Sequence, residues 1–339
     1  MTFPQYLPAV ELTRGGIVES LHYGAVAVAD PQGRLVASYG DPQAVTFLRS
    51  SAKPFQALPL IESGAAERFG FTPPEIALAC ASHTGQDMHA DAIAAIHAKV
   101  GVTEDDLLCG QHPVEGHAPR PFRHNCSGKH TGMLAFARHR GLPTADYVSP
   151  QHGIQQTILQ TFSEMCGVDA AAVVVGIDGC SAPNFAIPLV NAATGFARLA
   201  DPSRFSEPRA TALKTIFAAM TAHPEMVSGP GEFDAVLMRL KPGLVVAKGG
   251  AEGYQTLALA PGAVSPGSPA LGVALKAADG SSRATKVMAL ETLCQLGFLA
   301  EADLAVLAER GFGARVPLKN WRGMPVGEMR ACFKLDFGY

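Results

Sequence analysis

Residues 24–39, GAVAVADPQGRLVASY, hold two β-rich apolar runs on either side of Asp30-Pro-Gln-Gly33, and Pro and Gly at the turn positions predict a hairpin. Apolar positions then recur with helical spacing over 54–63, 74–81, 86–99, 127–139, 151–166, 207–222 and 233–240. One β-branched run, Val173-Val-Val-Gly-Ile177, interrupts them as a strand. Beyond it, 244–247, 256–260 and 271–277 read as strands parted by Gly-rich turns, ahead of helices over about 285–299 and 302–310.

Strands lie near both ends of the chain and need partners. The expected fold is therefore a single α/β (α+β) unit: one mainly antiparallel sheet of N- and C-terminal strands, covered by a helical lobe. The sheet lobe should draw on about 1–45 and 243–339 and the helical lobe on about 46–242, with a cleft between them. No period of 20 to 50 residues recurs and no low-complexity tract occurs, so solenoids, propellers and disordered linkers are set aside.

Composition narrows the partners. With 47% hydrophobic and 17% charged residues, the 339-residue chain has the make-up of an ordinary globular enzyme. A formal charge of −3 and the lack of any long Lys/Arg cluster remove the electrostatic case for nucleic acid or an anionic membrane, leaving a small molecule as the expected partner. The segment MTFPQY has no basic region followed by an apolar core, and no run of about 18 apolar residues occurs. Seven irregularly spaced cysteines suit reduced thiols, so a cytoplasmic protein is expected.

The stretch LRSSAKPF contains Ser50-x-x-Lys53, the only Ser-x-x-Lys in the chain. Residues i and i+3 share a helix face, so Lys53, if deprotonated by burial or nearby positive charge, would take the Ser50 proton. The plainer alternative is a Ser cap with a solvated Lys. ACASHTGQ offers Ser82, His83 and Thr84 where a helical pattern ends, either as chemistry or as capping groups. VAKGGAEG feeds Lys248 from a strand into glycines, which suits close approach of a ligand or simply a turn. Ser-x-x-Lys, a polar Ser loop and a strand-borne Lys-Gly-Gly follow one another in the order found in serine β-lactamases and glutaminases.

The middle of the chain carries HNCSGKH and IDGCSAPN. Cys126 and Lys129 stand at i and i+3, and Cys180 follows the apolar strand, so two thiolates and an amine suit a zinc ion; two buried cysteines packed as small hydrophobes are the alternative.

With SSAKPFQ, ACASHTG, HNCSGKHTGM, GIDGCSAPNFA, SGPGEFD and AKGGAEG in order, nearly the whole chain resembles the asparaginase II family of rhizobial-type (class 3) L-asparaginases. The resemblance implies a serine β-lactamase/glutaminase-like fold, a homodimer, and hydrolysis of L-asparagine to L-aspartate and ammonia. It also implies catalytic pairs Ser50/Lys53 and Ser82/Lys248, a zinc ion on Cys126, Lys129 and Cys180, and substrate contacts from Arg49, His130, Asp178 and Gly249. The alternatives are a glutaminase, β-lactamase or penicillin-binding-like serine hydrolase, and, in another class, a zinc-dependent amino-acid-binding protein.

Overall fold

The computed structural model describes residues 4–338, so part of the N-terminal segment read above lies outside the described residues. The strands are β1 (Leu7–Arg14), β2 (Ile17–Ala29), β3 (Leu35–Tyr39), β4 (Val45–Phe47), β5 (Val174–Ile177), β6 (Pro183–Pro188), β7 (Val245–Gly250), β8 (Tyr254–Leu259), β9 (Leu271–Ala277), β10 (Arg315–Lys319), β11 (Pro325–Ala331) and β12 (Asp336–Phe337). The main sheet runs β10-β11-β1-β2-β9-β8-β7, with β3 also on β2 and β12 on β3. All its pairings are antiparallel. The mixed α/β class and the joining of N- and C-terminal strands agree with the periodicity.

At the centre, Val26, Ala27 and Val28 pair with Leu275, Ala274 and Val273, and Ala25 to Ala29 are wholly buried. Such a run has no polar face because helices cover both sides. The Leu189–Ala200 helix lies on one side, so close that a Cβ on Gly272 would stand 1.8 Å from the Ala193 carbonyl oxygen. The Ser282–Gln295 helix lies on the other, where Met288 packs over Gly24.

A second sheet, β4-β6-β5, sits within the helical segment. Of its strands only the 173–177 run was predicted; β6 was missed because prolines bound it at both ends, and the Leu189–Ala200 helix because it follows without a turn sequence. The edge pair β10 and β11 was missed as well, its Pro and alternating charges masking the strand pattern. Four chain segments meet between sheet and helices: the start of the Lys53–Glu62 helix, the end of the Pro73–Ala79 helix, the start of the Ser127–Arg140 helix, and the end of β7.

Candidate functional site

A tight 3-10 turn, Arg49–Ala52, leads into the Lys53–Glu62 helix, with Pro54 in its first turn. Lys53 is thereby aimed inward and is 1% exposed. Its ammonium donates to the Ala81 carbonyl (2.6 Å), the Ser82 hydroxyl (2.9 Å) and the Asn125 carbonyl (3.3 Å). Among the described residues none of these hydrogen bonds goes to Ser50: a buried lysine has three donors to satisfy, and its three acceptors stand at the ends of two other helices. Ser51 is also buried and donates to the Lys248 carbonyl at 2.7 Å, tying the turn to β7.

Lys248 stands on β7 opposite Thr256 and is 0% exposed. Its Nζ lies 2.8 Å from Ser82 Oγ and 2.9 Å from the Gly249 carbonyl. Burial, and next the nearby charge of Lys53, lowers its pKa from 10.5 to about 7, while Asp234 opposes the fall. Ser82 is therefore flanked by two amines. An oxygen that accepts from the Lys53 ammonium can pass its own proton to neutral Lys248, which still donates one N–H to Gly249. Ser50 and Ser82 both open, half-buried, on one cavity of about 480 Å³ that Lys248, Gly249, Asn125 and His112 also line.

Arg49 and Asp178 pair with each other: Arg49 Nε and Nη2 donate to Asp178 Oδ1 at 3.0 and 2.8 Å. Burial would raise the Asp178 carboxyl, but the Arg49 hydrogen bond, the charges of Lys129 and Arg49 and the Gly179 N–H hold it below its ordinary value. Arg49 adopts φ +52° and Ser181 φ +71°, left-handed conformations that non-glycine residues rarely take and that cluster at functional sites. Gly249 borders the cavity, yet its N–H is committed to Asp234 Oδ2 at 2.7 Å, so any contact it makes with substrate comes from another atom. His130 is 0% exposed. Its Nδ1 is bonded to the Tyr147 hydroxyl at 2.6 Å and its Nε2 has no hydrogen-bond partner. His130 is not among the residues that line the cavity.

Cys126, Lys129 and Cys180 are all buried, and Lys129 Nζ lies 3.1 Å from Cys180 Sγ. A hydrogen bond with Cys180 holds the Cys126 thiol well below its ordinary pKa against the opposing effect of burial, with help from the charges of Lys53 and Lys129. Burial pulls Lys129 down, but the sulfurs of Cys180 and Cys126 outweigh it and keep the ammonium above its ordinary value. Among the described residues no group of three or more His, Cys, Asp and Glu side chains forms a metal cage. The donors here are two sulfurs and an amine, a set that suits zinc once the amine gives up its proton. The partnerless His130 Nε2 is a further buried atom among these groups; burial above all lowers the ring's pKa from 6.5 to about 4, with Cys180 opposing the fall.

Sequence reasoning left three residues that shape the site without a settled role, His83 having been offered as either chemistry or a cap. His83 is wholly buried; it accepts from the Gly85 N–H at 3.1 Å, so its Nε2 carries the proton and bonds Ser127 Oγ at 3.0 Å, locking the Ser82 loop to the Ser127–Arg140 helix. Asp234 holds the Gly249 N–H and the Gln255 amide, fixing the end of β7. His112, on an irregular segment, lies in the cavity wall. The motifs ACASHTG and SGPGEFD contained the first two; nothing local singled out the third.

Comparison with solved structures finds bacterial glutaminases. A probable glutaminase from Bacillus subtilis complexed with 6-diazo-5-oxo-L-norleucine is 15% identical with TM-score 0.38, the match covering 81% of this chain and 84% of that one. Another structure of a probable Bacillus subtilis glutaminase is 13% identical with TM-score 0.39, covering 81% and 88%. A structure titled Mglu in its native form is 16% identical with TM-score 0.44, covering 82% and 62%. A likeness of this extent says nothing about substrate. No curated protein matches the chain. The family model for L-asparaginase II matches residues 10–331, nearly the full length, and the chain belongs to that family.

Proposed function

We infer that the protein, as a member of this family, is an amidohydrolase. We propose that its substrate is L-asparagine, hydrolysed to L-aspartate and ammonia through a serine ester. The observation that carries this reading is the hydroxyl of Ser82 set between two buried amines, at 2.9 Å from Lys53 and 2.8 Å from Lys248, in the wall of a cavity sized for a small ligand. Ser50 is the proposed attacking oxygen. Its side chain has no hydrogen bond to the described residues, whereas Ser82 is engaged on both sides and so placed to carry a proton to Lys248. Catalytic hydrogen bonds commonly tighten only when substrate binds, so the gap between Ser50 and the lysines does not count against it. The 2.8 Å Ser82–Lys248 bond favours a second reading in which Ser82 itself attacks and Lys248 is its base. Arg49 and Asp178, with opposite charges at one place, suit the α-carboxylate and α-ammonium of the amino acid.

Zinc on Cys126, Lys129 and Cys180 is part of the proposal. When bound it would supply a Lewis-acidic point that orients the substrate's α-amino or α-carboxylate group. Lys53, within hydrogen-bonding range of both Ser82 and Asn125, stands between that cluster and the serines. A cytoplasmic homodimer completes the reading. It is supported by the resemblance and by β5, an edge strand whose Val174 and Ile177 are 54% and 62% exposed with no charge to guard them. No helix is long and apolar enough to cross a membrane among the described residues.

The deciding experiment is mass spectrometry after incubation with an asparagine-derived electrophile, alongside ammonia release from asparagine, glutamine and a β-lactam. Label on Ser50 with ammonia released from asparagine supports the first reading. Label on Ser82 exchanges the serine roles, and turnover of glutamine or the β-lactam but not asparagine rejects the substrate.

A further inference from the structure

Residues 107–120 form a strap with no helix or strand of its own, and both its ends are fastened. At one end the Leu108 N–H donates to the Tyr147 hydroxyl at 3.0 Å. At the other, Arg120 Nε donates to Glu104 Oε1 at 2.9 Å, and the same carboxylate accepts from the Phe122 N–H at 2.9 Å. In between, Val114 lies directly on Gly85, three residues beyond Ser82: a Cβ on Gly85 would stand 2.8 Å from Val114 Cγ2 and 2.4 Å from the Arg123 carbonyl, and Gly85 has φ +73°. Glycine at this position is what allows the strap to press against the Ser82 loop.

The strap brings one polar ring into the cavity wall. His112 lies there with Ser50, Ser82 and Lys248, its ring centroid 5.0 Å from that of His124. Its Nδ1 is buried without a partner, and among the described residues neither ring nitrogen hydrogen-bonds to another side chain or backbone group. A half-buried histidine that the protein leaves unsatisfied beside two reactive hydroxyls has its hydrogen-bonding capacity in reserve. The ring is also neutral near pH 7, since burial first and His124 second lower its pKa. A neutral imidazole offers one N–H to an oxygen without adding to the positive charge of the two lysines.

We propose that His112 is a substrate-contacting specificity residue, donating a hydrogen bond to an oxygen of the bound amino acid, and that the 107–120 strap sets how long a side chain can reach Ser82 and Lys248. This inference rests on the amidohydrolase reading of the same cavity. Removing the ring deletes one substrate hydrogen bond and widens the cavity on that side, which affects binding and chain-length discrimination more than the chemical step.

The test compares wild type, His112→Ala, His112→Gln and Gly85→Ala by ammonia release from asparagine and from glutamine, with melting temperatures. His112→Ala should raise KM for asparagine about tenfold with kcat within about threefold, and lower the preference for asparagine over glutamine. The melting temperature should hold, because the ring hydrogen-bonds to no other residue among those described. His112→Gln, which keeps an N–H donor, should recover part of the loss, and Gly85→Ala, which displaces the strap, should mimic His112→Ala. Wild-type turnover with unchanged KM and unchanged preference in His112→Ala overturns the inference alone. A loss of kcat and of melting temperature together, without rescue by Gln, overturns it in favour of a structural role. A wild-type protein that releases no ammonia from either substrate overturns both this inference and the functional reading beneath it.

Discussion

Replacing Lys248 by Met should stabilise the protein and inactivate it at the same time. Lys248 is wholly buried, and burial above all brings its pKa from 10.5 to about 7. In the unfolded chain the lysine keeps its ordinary value, so between about pH 7 and pH 10.5 the unfolded state binds a proton that the folded state does not. Stability must then rise with pH across that window, and the cost of the lysine is fully present below it. From 10.5 to about 7, at about 1.4 kcal/mol per pH unit, that cost is about 5 kcal/mol. Methionine fills similar space without a proton to lose. It forfeits the contacts with Ser82 Oγ at 2.8 Å and Gly249 O at 2.9 Å, worth about 1 kcal/mol each. The balance is a gain of about 2 to 3 kcal/mol at pH 7, or a few degrees in Tm. Thermal and urea unfolding of both proteins at pH 7 and pH 10 would measure it. The Met variant should be the more stable at pH 7 and lose its advantage by pH 10. A variant less stable at pH 7, or a difference indifferent to pH, would refute the argument that Lys248 is held neutral by burial.

Three further outcomes follow from the same geometry. If Lys248 accepts the proton, kcat should climb about tenfold per pH unit below about pH 7 and level off above it, and a flat profile from pH 5.5 to 8.5 would exclude that role. Cys126→Ala should lower bound zinc, measured by metal analysis, and raise KM more than it lowers kcat; full zinc occupancy in the variant would remove Cys126 from the ligand set. Gly128→Ala should destabilise the fold by more than 2 kcal/mol in urea unfolding, because its Cβ would stand about 2.2 Å from the Leu78 carbonyl oxygen and force two helices apart. A variant with wild-type stability would show that the contact relaxes freely.

The parts of the fold legible in the sequence were the apolar runs bounded by turn residues and the helices with a regular repeat. The β2 and β9 runs and the β7 strand that ends in Lys-Gly-Gly are of the first kind. The illegible parts had a pattern overwritten by something else: prolines at the ends of β6, charges along β10 and β11, a helix at 189–200 entered directly from a strand. At the site, motif residues identified the amines and hydroxyls, but spacing along a helix pairs only neighbours. Lys53 is three residues from Ser50 and 29 from Ser82, and its amine bonds to the latter. Which of two serines a flexible four-carbon chain reaches is decided by acceptors that arrive from elsewhere in the fold. His112 was invisible for a related reason, since its place depends on Glu104, Arg120 and Gly85, each in a different segment.

The three acceptors gathered by Lys53 belong to two stretches of backbone, around 81–82 and at 125, that no local structure joins to residue 53. Its amine is thus a knot as much as a reagent. Should the 81–82 stretch peel away, the amine loses two of its three acceptors in one motion and Ser82 loses that neighbour with them.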